Sequence, residues 1–152
     1  MRRKDRERDA TFAYEVLRDC EYITLATINP DGTPYCIPLS HALVENVIYF
    51  HCATEGQKLE NIRLNKNVCV SGVRYTNILP EKFTTEYESA VATGFCAEVV
   101  DDDEKLLGLI KITEKYAPDN MGNFEGMLDK YRNRVSVYKI DIVSITGKAN
   151  MP

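Results

Sequence analysis

The chain has 152 residues, a formal net charge of -4 and an ordinary 28% of charged residues. This length suits one domain with one core, so we expect a single domain over residues 1–152. The acidic balance excludes a broad basic surface for nucleic acid or an anionic membrane, and no apolar stretch approaches the roughly 20 residues of a membrane helix. No apolar signal segment follows the first methionine, so we expect a cytoplasmic protein.

The cysteines indicate a reducing compartment. They are Cys20, Cys36, Cys52, Cys69 and Cys96. Their number is odd, their spacing is wide and no C-x-x-C pair occurs, which is unlike a disulfide scaffold. We therefore expect free thiols, most of them buried as small apolar side chains.

The chain begins with an amphipathic helix that leads into a hairpin. Asp9 can cap a helix that runs to about Arg18. The residues spaced to form its buried face are Phe12, Val16 and Cys20. A strand over 22–28 follows, and the turn residues of 29–32, with their Pro and Gly, return the chain as a second strand over 35–44.

Two prolines limit where this second strand can lie. Pro34 and Pro38 have no N–H group to donate to a neighbouring strand, so they predict an edge, a bulge or a position beside a ligand. A two-residue turn at Glu45 and Asn46, in which Asn46 tolerates left-handed backbone, leads to the third strand over 47–52.

The middle of the chain predicts a short helix and a fourth strand. Thr54 followed three residues later by Gln57 has the pattern of a capping box, so a helix is expected from Thr54 to about Leu64. The fourth strand spans 68–74. The stretch 75–82 has no clear periodicity and is expected to be a loop that covers part of the molecule.

A long strand over 86–100 and a helix follow. Gly94 interrupts the strand and predicts a bulge or a close approach of backbone. Acidic residues at 101–104 favour the start of the next helix, and Pro118 ends it. The expected buried stripe of this helix is Leu106, Leu109, Ile110 and Thr113.

The last elements are a weak helical turn over 124–131 and a strand over 135–145. The apolar phase of this strand shifts along its length, which predicts a β-bulge near Tyr138 and Lys139. Six strands joined first by hairpins and then by helices do not alternate as βαβ units. The pattern therefore predicts an antiparallel barrel with a few packed helices, an α+β fold that is mainly β.

Common catalytic motifs are absent from the sequence, including the hydrolase elbow and the Gly-rich dinucleotide loop. The segment 51–58 remains, in which a strand leads directly into a helix start. A helix start offers free backbone N–H groups, Gly56 lets a ligand approach the backbone, and Lys58 adds a positive charge. The segment predicts a phosphate site; the alternative is an ordinary capped helix with an exposed lysine.

The two histidines, His41 and His51, raise the question of a metal. The two-residue turn sets His51 opposite Ser40 and His41 opposite Phe50, so the rings lie on opposite faces and a shared metal is not expected. His51 beside Ser40 can line a polar pocket, and the alternative is a hydrogen-bonded structural histidine.

Short motifs follow one another in order along nearly the whole chain. They are MRRKDRE (1–7), LAT (25–27), DGTPY (31–35), PL (38–39), YFHCA (49–53) with Gly56 and Lys58, ESAV (88–91) with Gly94, and ITGK (145–148). In this order they resemble the flavin-nucleotide-binding split-barrel family related to pyridoxamine 5′-phosphate oxidase, and within it the nitroimidazole-resistance (Nim-type) proteins.

This resemblance implies a six-stranded antiparallel split β-barrel with flanking helices, which forms a homodimer with FMN at the subunit interface. It also implies that Lys58 binds the phosphate, that Gln57 replaces an arginine of the oxidases, and that Ser89 replaces a glutamine that faces the flavin. The cofactor-binding residues that it implies are Pro38, Leu39, Ser40, His41, His51, Cys52, Ala53, Gly56, Gln57, Lys58, Tyr87, Ser89 and Val91.

The resemblance to the oxidases does not extend to their carboxy-terminal substrate segment with its Trp and Arg residues, and the chain contains no Trp. Oxidation of pyridoxamine phosphate is therefore not expected. The Nim-type resemblance implies an oxidoreductase that reduces a small electrophile such as a nitroaromatic compound, with His51 and Tyr87 as candidate catalytic residues. The alternatives are a non-catalytic flavin store or redox sensor, a haem-binding barrel and a cofactor-free dimer.

Overall fold

An antiparallel sheet forms the centre of the computed structural model, which describes residues 2–131 and 134–151. Met1, the first residue of the predicted domain, lies outside them. The strands are β1 (Glu7–Arg8), β2 (Ile23–Ile28), β3 (Pro34–Leu39), β4 (Ala42–Val44), β5 (Val47–Cys52), β6 (Asn67–Leu79), β7 (Thr84–Glu98) and β8 (Ser136–Asn150). The helices are α1 (Ala10–Asp19), α2 (Gln57–Leu64), α3 (Asp102–Tyr116) and α4 (Phe124–Tyr131). Among the described residues, no helix has the length and apolar character needed to span a bilayer.

The strand order is β3-β2-β6-β7-β8-β5-β4, with β1 beside β8, and every pair is antiparallel. Because β3 and β4 are free edges, the sheet is open, as in a split barrel, and the predicted fold class is confirmed. The strand count rises from six to eight among the described residues because β1 is added and the predicted strand 35–44 is interrupted at Ser40 and His41. Pro34 and Pro38 lie on the edge strand β3, as predicted.

Helix α1 packs against one face of the sheet, which we call the inner face. The side chain of Asp9 accepts a hydrogen bond of 2.8 Å from the N–H of Phe12, so the predicted cap is confirmed. Val16, Leu17 and Cys20 are buried against the sheet. Gly72 allows this close packing, because a Cβ there would lie 2.7 Å from Cys20 Sγ.

A second apolar cluster covers the opposite face of β5 and β8. It consists of Ala42, Tyr49, Val99, Ile112 and Val137. Helix α3 contributes Ile112 and approaches Tyr49 closely through Gly108, whereas Leu106 is 39% exposed. The predicted buried stripe of α3 is therefore only partly right: Leu109 packs against this cluster, Leu106 does not, and the buried residues of the helix are Gly108 and Ile112.

Strands β6 and β7 continue beyond the barrel as a two-stranded arm. The predicted loop 75–82 was wrong, since pairing runs on to Leu79 opposite Thr84. A short 3-10 turn at Pro80–Lys82 closes the arm, with Phe83 in left-handed backbone. An arm with solvent on both faces has no apolar periodicity, so its sequence does not show a strand pattern.

The long strand β8 contains a bulge, but not where it was expected. The register passes from Thr93 opposite Ser144 to Gly94 opposite Ile142, which leaves Val143 as the extra residue. The shift of the apolar residues from odd to even positions near Tyr138 has another cause. Val137 packs beneath α3 on one face of the sheet, while Tyr138 faces the main core on the other. The prediction at Gly94 is confirmed, because a Cβ there would collide with the carbonyl oxygen of Asp141.

The turn between β4 and β5 has the predicted length, with Val44 opposite Val47. Glu45, and not Asn46, takes the positive φ of 52°. Asn46 instead donates its side-chain N–H to the carbonyl of Ile142, 2.9 Å away. Asn46 therefore connects the turn to β8.

The chain turns inward at His41, which interrupts the edge strand. The fully buried ring places Nε2 2.5 Å from the carbonyl oxygen of Leu17, and the backbone N–H donates to the hydroxyl of Tyr116 at 3.0 Å. Nε2 therefore carries the proton, and Nδ1 is buried without a partner among the described residues. Burial, together with the charge of Lys115, lowers the pKa of His41 to about 4 despite the opposing hydrogen bond to Leu17.

This low pKa predicts a loss of stability in mild acid. Between pH 6.5 and about 4, His41 binds a proton in the unfolded chain but not in the folded chain. The free energy of unfolding therefore falls as the pH falls. We expect His41 to account for about 2 kcal/mol of the fall between pH 7.5 and 5. In urea unfolding, His41→Gln should show a smaller fall than the wild type and than the control His51→Gln. Equal falls in all three proteins would contradict this assignment.

Candidate functional site

The start of α2 differs from its prediction. The helix begins at Gln57, and its N-cap is Gly56, with φ 134° and ψ 164°. The expected capping box of Thr54 and Gln57 was wrong, because no side chain caps this end. Glycine is the residue that readily adopts such a φ, and here it turns the chain from β5 into the helix.

Free hydrogen-bond donors are exposed at this helix start. Within the described chain, the backbone N–H groups of Gly56, Gln57 and Lys58 have no acceptor, whereas those of Leu59 and Glu60 bond to the carbonyl of Gly56. Nothing lies within 4 Å of the position a Cβ would take at Gly56, so the backbone is open to a ligand. An array of this kind favours an anion.

Lys58 adds a positive charge to this array. Its side chain is partly buried and makes no ion pair in the part of the chain that the structure describes. Burial raises the pKa of the Cys52 thiol, and the nearby charge of Lys58 opposes that rise. The lysine at the helix start and the end of β5 are therefore electrostatic neighbours.

A buried amide, Asn61, attaches the helix start to the first hairpin. Its Nδ2 donates to Thr27 Oγ1 at 3.0 Å and to Asn29 Oδ1 at 2.8 Å. Its Oδ1 accepts from Gln57 Nε2 at 3.0 Å. Asn61 is fully buried, and every polar atom of its side chain is satisfied. Sequence reasoning missed this residue; its signal was a polar residue at an inward position one helical turn after Gln57.

An open depression of about 440 Å³ lies between this helix start and the β2–β3 turn. Its lining residues are Asn29, Pro30, Asp31, Tyr35 and Gln57. Gln57 is the only predicted site residue in its lining. The depression therefore extends from the start of α2 toward the first hairpin.

The end of β5 places His51 and Cys52 next to this segment. Cys52 is buried, whereas the surface of His51 is largely exposed. The part of the His51 ring that is covered by neighbouring atoms still lowers its pKa. The expected position of His51 opposite Ser40 was wrong, because β4 begins only at Ala42. For the same reason His41 is not paired with Phe50. His41 belongs to the core beneath α1, where its ring contacts Leu17 and Cys20.

Four further predicted residues lie on the outer face of the sheet, opposite α1: Pro38, Tyr87, Ser89 and Val91. In a single row across the strands, Pro38 lies opposite Thr24, Thr24 opposite Ser71, and Ser71 opposite Val91. Pro38 and Val91 are both exposed. Leu39, by contrast, packs partly against the main core. This row places the edge strand and the middle of β7 on one continuous surface.

Tyr87 and Ser89 lie on the same outer face, near the other end of β7. The strand approaches the segment before α2 at Cys96, because burial raises the pKa of the Cys96 thiol and Cys52, at the end of β5, is close enough for its charge to add to that rise. Cys96 lies seven positions after Ser89 on an extended strand, so the distance between the two residues is roughly 23 Å. Within one chain, the structure therefore does not bring Tyr87 and Ser89 to the helix start at Lys58.

Removing the Asn61 amide should loosen the helix start. Asn61→Ala removes a hydrogen-bond partner from the buried Thr27 hydroxyl and from the partly buried Asn29 side chain, so we expect the free energy of unfolding to fall by about 1–3 kcal/mol. The control is Asn77→Ala, which removes an exposed bond to Glu86 and should cost less than about 0.5 kcal/mol. Urea unfolding measures both; a neutral Asn61→Ala would contradict the anchoring role.

Comparison with protein families gives one match over nearly the whole chain. Residues 9–149 match the model described as pyridoxamine 5′-phosphate oxidase. A comparison with curated protein sequences gives no significant match.

Solved structures share the fold at low sequence identity. A candidate 5-nitroimidazole antibiotic resistance protein of Bacteroides thetaiotaomicron has a TM-score of 0.75 at 22% identity, over 93% of this chain and 84% of that one. An FAD-binding protein of Mesorhizobium loti has a TM-score of 0.70 at 23% identity, over 96% and 98%. An FAD- and haem-binding protein of Mycobacterium smegmatis has a TM-score of 0.81 at 17% identity, over 95% and 72%.

Proposed function

Because the chain belongs to the pyridoxamine 5′-phosphate oxidase family, matched over residues 9–149, we propose that it is a single-domain flavoprotein that binds FMN. The observation that carries this proposal is the start of α2, where three backbone N–H groups have no acceptor among the described residues and adjoin the Lys58 side chain. A phosphate needs such donors and charge. The flavin binding of the Mesorhizobium and Mycobacterium proteins, as their names describe it, supports the choice of cofactor.

The proposed role of each cofactor-binding residue follows from its position relative to the start of α2. Gly56, Gln57 and Lys58 hold the phosphate through backbone N–H groups and the ammonium. The residues placed beside the ring system are Pro38, Leu39 and Ser40 on the edge strand and His51, Cys52 and Ala53 at the end of β5. Gln57 acts mainly by positioning, since its side-chain amide donates to Asn61. His41, which is buried in the core, supports the edge strand and does not contact the cofactor.

A second copy of the chain completes the proposed site. Tyr87, Ser89 and Val91 lie too far along β7 to reach the phosphate end of their own chain, so we assign them to the partner's flavin. The outer face also carries exposed apolar side chains, with Val91 at 42% and Phe95 at 51% exposure. Exposed apolar side chains along one face of a strand are available to form an interface. The proposed assembly is a homodimer with FMN between the subunits.

The proposed activity is the reduction of a small electrophile such as a nitroaromatic compound. Bound flavin supplies the electron transfer, while the protein supplies binding and electrostatics. His51 and Tyr87 are the side chains proposed to hold protons near the acceptor. The Bacteroides relative supports this choice by its description. The free thiols of all five cysteines fit a reducing cytoplasm.

The activity is tested by reducing the FMN-loaded protein and adding a nitroaromatic acceptor without oxygen. Oxidation of the bound flavin faster than that of free FMN supports a reductase, whereas an equal rate favours a flavin store.

Haem is the second candidate cofactor, because His51 is exposed and the Mycobacterium relative is described as binding haem. A haem absorption band that is lost in His51→Ala would replace flavin with haem.

Lys58 should matter for FMN affinity. Lys58→Ala removes one charge-assisted contact to the phosphate, so we expect FMN to bind at least about tenfold more weakly. The control is Lys66→Ala, which removes an exposed lysine after α2. Titration by the quenching of FMN fluorescence measures the affinity of each protein. An unchanged affinity in Lys58→Ala would overturn the phosphate assignment.

The outer face should be required for dimerisation. Val91→Arg places a charge in the proposed interface, so we expect a monomer that has lost most of its FMN affinity. Val100→Arg is the matched control, because Val100 is 83% exposed and lies beyond the end of β7. Light scattering should give roughly twice the 17.3 kDa chain mass for the wild type and the control. A dimeric Val91→Arg protein would contradict this interface.

A further inference from the structure

Two cations flank the hydroxyl-bearing ring of Tyr87 on the outer face. Arg6 Nη1 lies 3.5 Å from the Tyr87 hydroxyl, and Lys148 Nζ lies 5.5 Å from the centre of the ring. Ser89 adds a third polar group, since its Oγ donates to the backbone carbonyl of Lys148 at 3.3 Å. These side chains come from the start of the chain, from β7 and from β8, so the fold brings them together.

The neighbouring carboxylates are already occupied. Asp5 accepts from Arg3 Nε at 2.8 Å, which leaves Arg6 with only a 4.0 Å contact to the same carboxylate. Glu7 is the residue directly opposite Lys148 in the β1–β8 pair, but its carboxylate pairs with Lys4 at 2.9 Å.

Lys148 therefore makes no ion pair among residues 2–131 and 134–151. Lys139, on the same strand, shows the contrast, because its ammonium is neutralised by Glu104 at 2.7 Å. In a chain with a net charge of -4, two positive groups are held at one phenol, and the carboxylate that contacts them in the described residues is that of Asp5, 4.0 Å from Arg6 Nε.

The electrostatics of Tyr87 support this description. Burial would raise the pKa of the phenol, but Lys148 and Arg6 outweigh that effect and the pKa lies below its usual value. The local potential is therefore positive. Guanidinium, ammonium and phenol groups all donate hydrogen bonds, and an oxyanion is the ligand that accepts from all three.

We propose that Arg6, Tyr87 and Lys148 form an oxyanion-binding site that takes the carboxylate of an anionic aromatic acceptor. This inference rests on the proposed function and names its substrate class: the protein favours acceptors with a carboxylate over neutral ones. Tyr87 thereby contacts the acceptor, while Arg6 and Lys148 hold the carboxylate at the outer face.

The test is equilibrium binding of 4-nitrobenzoate and of nitrobenzene to the FMN-saturated protein, measured by calorimetry. We expect 4-nitrobenzoate to bind more tightly, and Lys148→Gln to weaken its binding about tenfold without changing that of nitrobenzene. Lys66→Gln is the matched control for the loss of one charge and should change neither. Arg6→Gln should act in the same direction as Lys148→Gln.

Three results would overturn the proposal: no preference for 4-nitrobenzoate, equal effects of Lys148→Gln and Lys66→Gln, or a loss of FMN affinity in Lys148→Gln in place of a loss of 4-nitrobenzoate affinity. Because binding requires no electron transfer, the outcome is separate from the proposed reductase activity. Lys148-dependent binding without reduction would keep the site and reject the activity. Reduction of the acceptor without Lys148-dependent binding would keep the reductase activity and reject the site.

Discussion

The hydrogen bonds of the Asn61 side chain are the constraint on which the candidate site depends. Helix α2 has only eight residues, fewer than the roughly 12–15 that an isolated helix needs for stability in water. Leu59 and Ile62 pack into the main core, and the buried amide adds the directional attachment to Thr27 and Asn29 on the first hairpin. With this attachment, the free N–H groups at Gly56 and Lys58 keep a defined direction. An anion site made of backbone donors requires such rigidity, because the donors must already be aligned when the ligand arrives.

The open sheet gives this site its second half. Its edge strand β3 and the middle of β7 share one outer surface, while the proposed phosphate site lies at the start of α2. A single chain therefore presents two halves of a site that do not meet, and a pair of chains related by a twofold axis can bring them together. This arrangement also gives a role to the exposed apolar side chains of β7, which would otherwise be a liability for a monomer.

Much of the fold could be predicted because its signals are local. Asp9 before an apolar helical pattern, the Pro and Gly of the first turn, and Gly94 in a long strand each act within a few residues. The failures have tertiary causes. The Thr54 pattern is a local capping signal, but the helix starts only where Gly56 can take its unusual φ. The break at His41 depends on Leu17 and Tyr116, which are distant in sequence. The segment 51–58 could be found from sequence, whereas the anchoring role of Asn61 could not, since two of its partners come from the first hairpin, which is distant in sequence.

The central claim is that the start of α2 recognises the phosphate of a flavin nucleotide. Comparing the affinities of the purified protein for FMN and for riboflavin tests it most directly, because the two ligands share the ring system and differ in the phosphate. The account predicts one FMN per subunit, bound at least about tenfold more tightly than riboflavin. Equal affinities for the two ligands would contradict it, because the ring system alone would then account for binding.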